Sequence, residues 1–169
     1  MRQKLRLSMF ALGVSALLLA EGARADDKQP LPIPRFVSMK HGEINVRVGP
    51  GLRYQIAWVF KRKEMPVEVI AEFDTWRQIR DWEGTEGWVN QTALAGARTI
   101  IIKGEIRALR RSADKAAEPV AQVEPGVIGK LLECPTASPD WCRIEVNDVR
   151  GWLRRTEFWG VYPTETYPQ

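Results

Sequence analysis

From residue 44 onward, apolar and polar positions alternate in short runs and do not recur every three or four residues. Ile44-Asn-Val-Arg-Val48 places Ile44, Val46 and Val48 on one face, the period of a half-buried strand. Gly49-Pro50-Gly51 then breaks the run with a strong turn signal. Ile56–Phe60 and Val67–Phe73 read as strands from their β-branched and aromatic content. Trp76–Trp82 alternates less cleanly, Glu83-Gly84 turns the chain, and Gly87–Asn90 returns as a hairpin partner. Ala93-Leu94 fits one short helical turn. Thr99–Lys103 closes this unit and leads into a second, with strands expected at Gly104–Arg110, Val120–Val123, Val127–Cys134, Trp141–Val146 and Val149–Arg154. Five short strands per unit of about 60 residues, joined by tight turns, predict an all-β fold of small closed barrels.

The two units are copies of one pattern. Trp76-Arg-Gln-Ile79, a charged turn and Gly87-Trp88-Val89 recur as Trp141-Cys-Arg-Ile144, a charged turn and Gly151-Trp152-Leu153. Val46-Arg47 aligns with Leu109-Arg110, Pro66–Ile70 with Val127–Leu131, and Thr92-Ala-Leu94 with Thr156-Glu-Phe158. The units span residues 35–97 and 98–160, with a C-terminal tail over 161–169. Two copies are too few for a solenoid, so each is expected to bury its own core.

A different pattern precedes them. Arg2, Lys4 and Arg6 lead into the apolar stretch Leu7–Ala20, and Ala23-Arg24-Ala25 supplies small residues ahead of Asp26-Asp27. These are the three parts of a cleaved secretory signal over residues 1–25. The apolar stretch is shorter than the roughly 20 residues of a spanning helix, which argues against a membrane anchor. Residues 26–34, polar and Pro-rich, read as an extended linker. The expectation is a periplasmic protein, exported through a cleaved signal peptide, with no membrane span after cleavage.

Export changes the reading of charge and cysteine. The chain has 25 basic and 21 acidic residues. Loss of Arg2, Lys4, Arg6, Arg24 and Glu21 leaves 21 and 20, a net charge of +1. Nucleic-acid binding needs a strong basic footprint and loses its support. Cys134 and Cys142 are the only cysteines, and in an oxidising compartment an even count reads as a disulfide. A zinc site wants four ligands, and His41, the one histidine, is far away in sequence. No metal and no cofactor are expected.

The segment Asn45-Val-Arg-Val-Gly-Pro-Gly51, followed by Pro66-Val-Glu-Val-Ile70, Trp76, Gly87-Trp88-Val89 and Leu94, closely resembles the bacterial SH3 domain. The first unit matches along nearly its full length. The second is similar but diverged, with Arg111-Ser-Ala-Asp114 where the Gly-Pro-Gly turn would be. The resemblance implies two tandem SH3-like barrels and a binding module, directed to peptidoglycan or its peptides, or to an envelope protein.

No enzymatic constellation accompanies it. A thiolate or serine nucleophile would have to use His41 as its base, and the carboxylate pairs look exposed. The chain is therefore expected not to be an enzyme. Aromatic residues are the better lead. Trp76, Trp88, Trp141 and Trp152 repeat between units and read as scaffold, whereas Tyr54, Trp58 and Trp82 do not repeat. A shallow groove of Tyr54, Trp58 and Trp82, edged by Arg47 and Arg53, is the expected ligand site. Arg47 could equally brace its loop, since Arg110 repeats it.

Overall fold

The computed structural model describes residues 31–168; the expected leader over 1–25 lies outside them. The described residues are all-β, with fourteen strands in two seven-stranded antiparallel sheets. The first sheet holds β1 (Arg35–Met39), β2 (Ile44–Arg47), β3 (Ile56–Phe60), β4 (Pro66–Phe73), β5 (Trp76–Arg80), β6 (Glu86–Asn90) and β7 (Leu94–Ala95). The second holds β8 (Thr99–Ile102), β9 (Arg107–Arg110), β10 (Pro119–Val123), β11 (Ile128–Glu133), β12 (Trp141–Val146), β13 (Val149–Arg154) and β14 (Phe158–Trp159). A single 3-10 turn precedes β7 (Gln91–Ala93) and another precedes β14 (Arg155–Glu157).

Both sheets have the same order: β3-β2-β6-β5-β4-β1-β7 and β10-β9-β13-β12-β11-β8-β14. Met39, Ile44, Val46, Val67, Val69, Ile79 and Val89 come from five strands across the first sheet and yet form one buried cluster. Only a curled sheet can bring them together. The ladder does not return from its last strand to its first, so each barrel is open along one seam and is not closed by pairing. There are seven strands per repeat, not five. The strand at 99–102 opens the second repeat; it does not close the first. Its counterpart, Arg35–Met39, carries a serine and follows prolines, which masked it in the sequence.

Pairing also corrects the repeat alignment by one residue. Val69 faces Ile79, and Leu131 faces Ile144, so Pro66 matches Ile128 and not Val127. The glycines of the Gly-Trp strands have a packing reason. A Cβ on Gly87 would lie 2.4 Å from Val46 Cγ1, and one on Gly151 would lie 2.8 Å from the Arg110 carbonyl. Glycine thus lets β2 and β9 cross β6 and β13 at close range. Trp88 and Trp152, the neighbours expected to pack inward, are half-buried and lie outside both buried clusters.

Each repeat buries its own cluster, as expected, and the two are linked through β8. All four residues of β8 are buried. Ile100 and Ile102 point into the second cluster, while Ile101 on the opposite face belongs to the first, with Ile128 and Trp159 packed beside it. Thr99 Oγ1 donates to the Glu64 carbonyl at 2.8 Å, and Arg62 donates to the Gly126 carbonyl at 3.0 Å. Phe36 packs edge-on against Trp159 at 4.8 Å and in a tilted pair with Tyr162 at 4.6 Å. Arg98 lies over both Phe36 and Tyr167 and pairs with Glu165. The C-terminal segment therefore belongs to the fold. It is fixed to the second repeat by two backbone hydrogen bonds between Cys134 and Tyr167. Cys134 and Cys142 form the expected disulfide, both fully buried.

Two outcomes follow for this seam. Ile101→Ala should cost about 2–5 kcal/mol, as truncation of a fully buried isoleucine does. Because that residue sits in the first repeat's cluster, urea unfolding should remain a single transition for both repeats; a first repeat that melts unchanged would contradict the coupling through β8. Burial, together with the 2.9 Å hydrogen bond that Tyr162 donates to Glu68, raises the pKa of the Tyr162 phenol. Its contribution is then intact below the ordinary tyrosine pKa of about 10 and is lost as pH rises above it. Urea midpoints should fall as pH rises above about 10, and less steeply in Tyr162→Phe.

Candidate functional site

The first repeat carries a cleft of about 400 Å³ where four segments converge. Ile44, Asn45 and Arg47 come from β2, Leu52 from the following loop, Trp76 from the start of β5, and Asn90, Thr92 and Ala93 from the end of β6 and its 3-10 turn. Lys40, His41 and Glu43, from the turn between β1 and β2, complete the rim. The lining thus combines Lys40, His41 and Arg47 with one carboxylate, Glu43, side-chain amides and an indole.

Local chemistry sets each wall. Arg47 Nη1 donates to the carbonyls of Tyr54 at 2.7 Å and Leu52 at 3.3 Å, so the loop is pinned from beneath. The Tyr54 ring lies against Gly49, where a Cβ would be 2.5 Å from Cδ1; only glycine allows that contact. Arg53 stacks over the same ring at 5.2 Å. Held this way, Leu52 stands 79% exposed at the cleft rim. On the opposite wall, Asn90 Oδ1 accepts from the Thr92 backbone N–H at 3.0 Å and from the Thr92 hydroxyl at 2.8 Å, capping the 3-10 turn. Lys40 is tied to that turn through its backbone N–H, which donates to the Ala93 carbonyl at 2.8 Å.

The structure gathers some of the expected groove residues and separates others. Arg47, Arg53 and Tyr54 come together around the 49–51 turn. Trp58, on β3, packs half-buried on the first cluster, with its ring 6.1 Å from Phe60. Trp82 lies in the turn between β5 and β6, where the buried Asp81 carboxylate accepts from Glu83 N and Thr85 N and ends the strand at Arg80. Of the five, Arg47 lines the cleft. The sequence does not mark Lys40, His41, Asn45, Leu52, Trp76 or Asn90 as ligand residues. Asn45 lies inside the motif Asn45–Gly51, Trp76 repeats between units and so reads as scaffold, and an exposed leucine in a loop gives no sequence signal.

The second repeat has a smaller cleft, about 230 Å³, lined by Lys115, Asp140, Trp141, Arg154, Arg155 and Thr156. Register places it at the same location. Arg110 Nη1 donates to the Ala117 carbonyl at 2.7 Å, as Arg47 does to Tyr54, so Lys115 stands where Leu52 does. Trp141 pairs with Arg154 as Trp76 pairs with Asn90. Arg155 is fully engaged, donating to the carbonyls of Pro139, Tyr162 and Glu165, and its burial lowers its pKa.

The family model of the bacterial SH3 domain matches the chain twice, over residues 40–96 and 103–160. No curated protein matches the sequence. Among solved structures, NlpC2 and NlpC1 of Trichomonas vaginalis are similar, each at 9% identity and a TM-score of 0.35. The alignments cover 75% and 77% of this chain but 48% and 47% of those proteins, so this chain spans about half their length. The two family matches fall one on each seven-stranded sheet and run through the Arg47 and Arg110 braces and both Gly-Trp strands; the chain belongs to the bacterial SH3 domain family.

Proposed function

We propose that this protein is an exported, non-enzymatic binding module that engages peptidoglycan or its stem peptides through the cleft of the first repeat. The observation that carries the reading is the composition of that cleft. Lys40, His41 and Arg47 offer positive charge or donors, Asn45 and Asn90 offer amides, and Trp76 and Leu52 offer apolar surface. Stem peptides are short and extended, and they present carboxylates, amides and methyl groups. Such ligands suit a shallow polar cleft with a few apolar anchors. The leader sequence supports a periplasmic location, where that polymer is found. Binding in place of catalysis fits the family, whose members are binding domains, and fits the use of both cysteines in the disulfide.

Purified protein should co-sediment with isolated sacculi at low salt. The variant carrying Lys40→Glu and Leu52→Ala changes two exposed rim residues and should bind at least ten-fold more weakly, with unchanged urea stability. Wild-type protein that stays in the supernatant would refute the reading. A second reading, an envelope scaffold that meets another protein, is favoured by Trp82, which is 38% exposed. In that case cross-linking in cells should capture one defined partner, and Trp82→Ala should abolish the capture without loss of fold. Recovery of abundant bystanders alone would exclude it.

A further inference from the structure

The hairpin of β11 and β12 differs from its counterpart in the first repeat at the tip. Register matches the two hairpins pair by pair. Val69 faces Ile79 as Leu131 faces Ile144, and Ala71 faces Gln78 as Glu133 faces Arg143. One pair further on, Glu72 and Arg77 face each other and form an ion pair at 3.0 Å. The second repeat has Cys134 and Cys142 at those positions and joins them covalently. Beyond that pair, residues 74–75 turn the first hairpin between Phe73 and Trp76. The second hairpin turns through residues 136–140, a longer tip.

The longer tip holds the last segment of the chain, through Arg155. Arg155 corresponds to Gln91, because Gln91 N donates to the Thr75 carbonyl and Arg155 N donates to the Asp140 carbonyl. The Arg155 guanidinium donates from Nε to the Pro139 carbonyl, in the tip. From Nη1 and Nη2 it donates to the carbonyls of Tyr162 and Glu165 at 2.9 and 2.6 Å. Gln91 instead accepts from Arg77 within its own repeat. Cys134 holds the far end of the segment. Its N–H donates to the Tyr167 carbonyl at 2.6 Å, and its carbonyl accepts from the Tyr167 N–H at 3.2 Å. Held this way, the segment presents Tyr162 to Glu68 and Phe36, and Glu165 to Arg98.

We propose that the Cys134–Cys142 disulfide is the lock of a clasp, which docks the C-terminal segment across both repeats when the pair is oxidised. The bond fixes the tip, carbonyls of the tip hold Arg155, and Arg155 together with Cys134 holds residues 162–167. A reduced chain forms both sheets and leaves this segment undocked. Locking converts two cysteine thiols and one small-molecule disulfide into the protein disulfide and two small-molecule thiols. One cysteine thiolate forms the mixed disulfide, the second displaces the remaining half, and both protons pass to the released thiols. Val161 and Tyr167 pack over the cluster that contains both cysteines, so the docked segment also covers the bond on which it depends. With both cysteines fully buried, the lock is set once and is closed to thiol exchange afterwards.

Amide hydrogen exchange of 15N-labelled protein reads the segment and the sheets separately. The amides of Tyr162, Glu165 and Tyr167, each bonded in the fold, report the segment. The amides of β12 and β13 report the second sheet. Refolded in reductant, the chain should protect the sheet amides and exchange the three segment amides at least about ten-fold faster than the oxidised protein. Adding oxidised glutathione should restore their protection as the disulfide forms. The double variant Cys134→Ala with Cys142→Ala should behave as the reduced chain does. Arg155→Ala, which keeps the disulfide, should free the segment likewise, and it carries the test if the reduced chain and the double variant do not fold. Segment amides that stay protected in the folded, reduced chain, or that are unchanged in Arg155→Ala, would overturn the proposal. So would segment and sheet amides of a folded variant that accelerate by the same factor, because a uniform loss of stability does that.

Discussion

One short strand holds the molecule together. Thr99–Ile102 is buried on both faces, because alternate side chains enter different cores. Strands that bury both faces normally lie in the middle of a layered domain. Here the strand lies between two barrels, and its run of three isoleucines follows from that position. Burying one isoleucine contributes about 1.5–3 kcal/mol, so Ile101 alone couples the repeats by an amount comparable to a sizeable fraction of a small domain's stability. The aromatic contacts of Phe36 and the hydrogen bond from Tyr162 to Glu68 seal the edge of the same interface.

Agreement and disagreement between the repeats carry different information. Where they agree, the reason is mechanical. Arg47 and Arg110 each pin a loop by a carbonyl, Gly87 and Gly151 each admit a crossing strand, and Trp76 and Trp141 each sit at the base of a cleft. Where they differ, the walls of the cleft change character: Leu52 against Lys115 and Asn90 against Arg154. Duplication thus supplies an internal control, in which one copy reports what the scaffold requires and the other what was left free to vary.

Much of the fold was legible because strand chemistry is local. Ile56–Phe60, Trp141–Val146 and Val149–Arg154 fall where their β-branched and aromatic content places them. What escaped was whatever depended on a distant partner. Arg35–Met39 has no obvious strand pattern until β4 and β7 flank it, with Arg35 facing Val69 and Met39 facing Leu94. The alignment slip at Pro66 arose because Met65 and Val127 both resemble strand residues, and only the pairing of β4 and β11 decides between them. The site was less legible. Unmatched aromatics looked free for a ligand, yet Tyr54 is committed to covering Gly49 and Trp58 to covering the core. The residues that do converge come from four separated segments, and no spacing rule links them.

The shared strand also imposes an order on biosynthesis. A chain made from its N-terminus presents residues 35–95 before Ile101, so the first barrel has an open side until the second begins. The tail acts later still, since Tyr162 and Glu165 close the seam only after both sheets exist. The first repeat, though it comes first and holds the cleft, is therefore incomplete until the tail has been made. Binding competence would be a property of the finished chain and would not be acquired one module at a time.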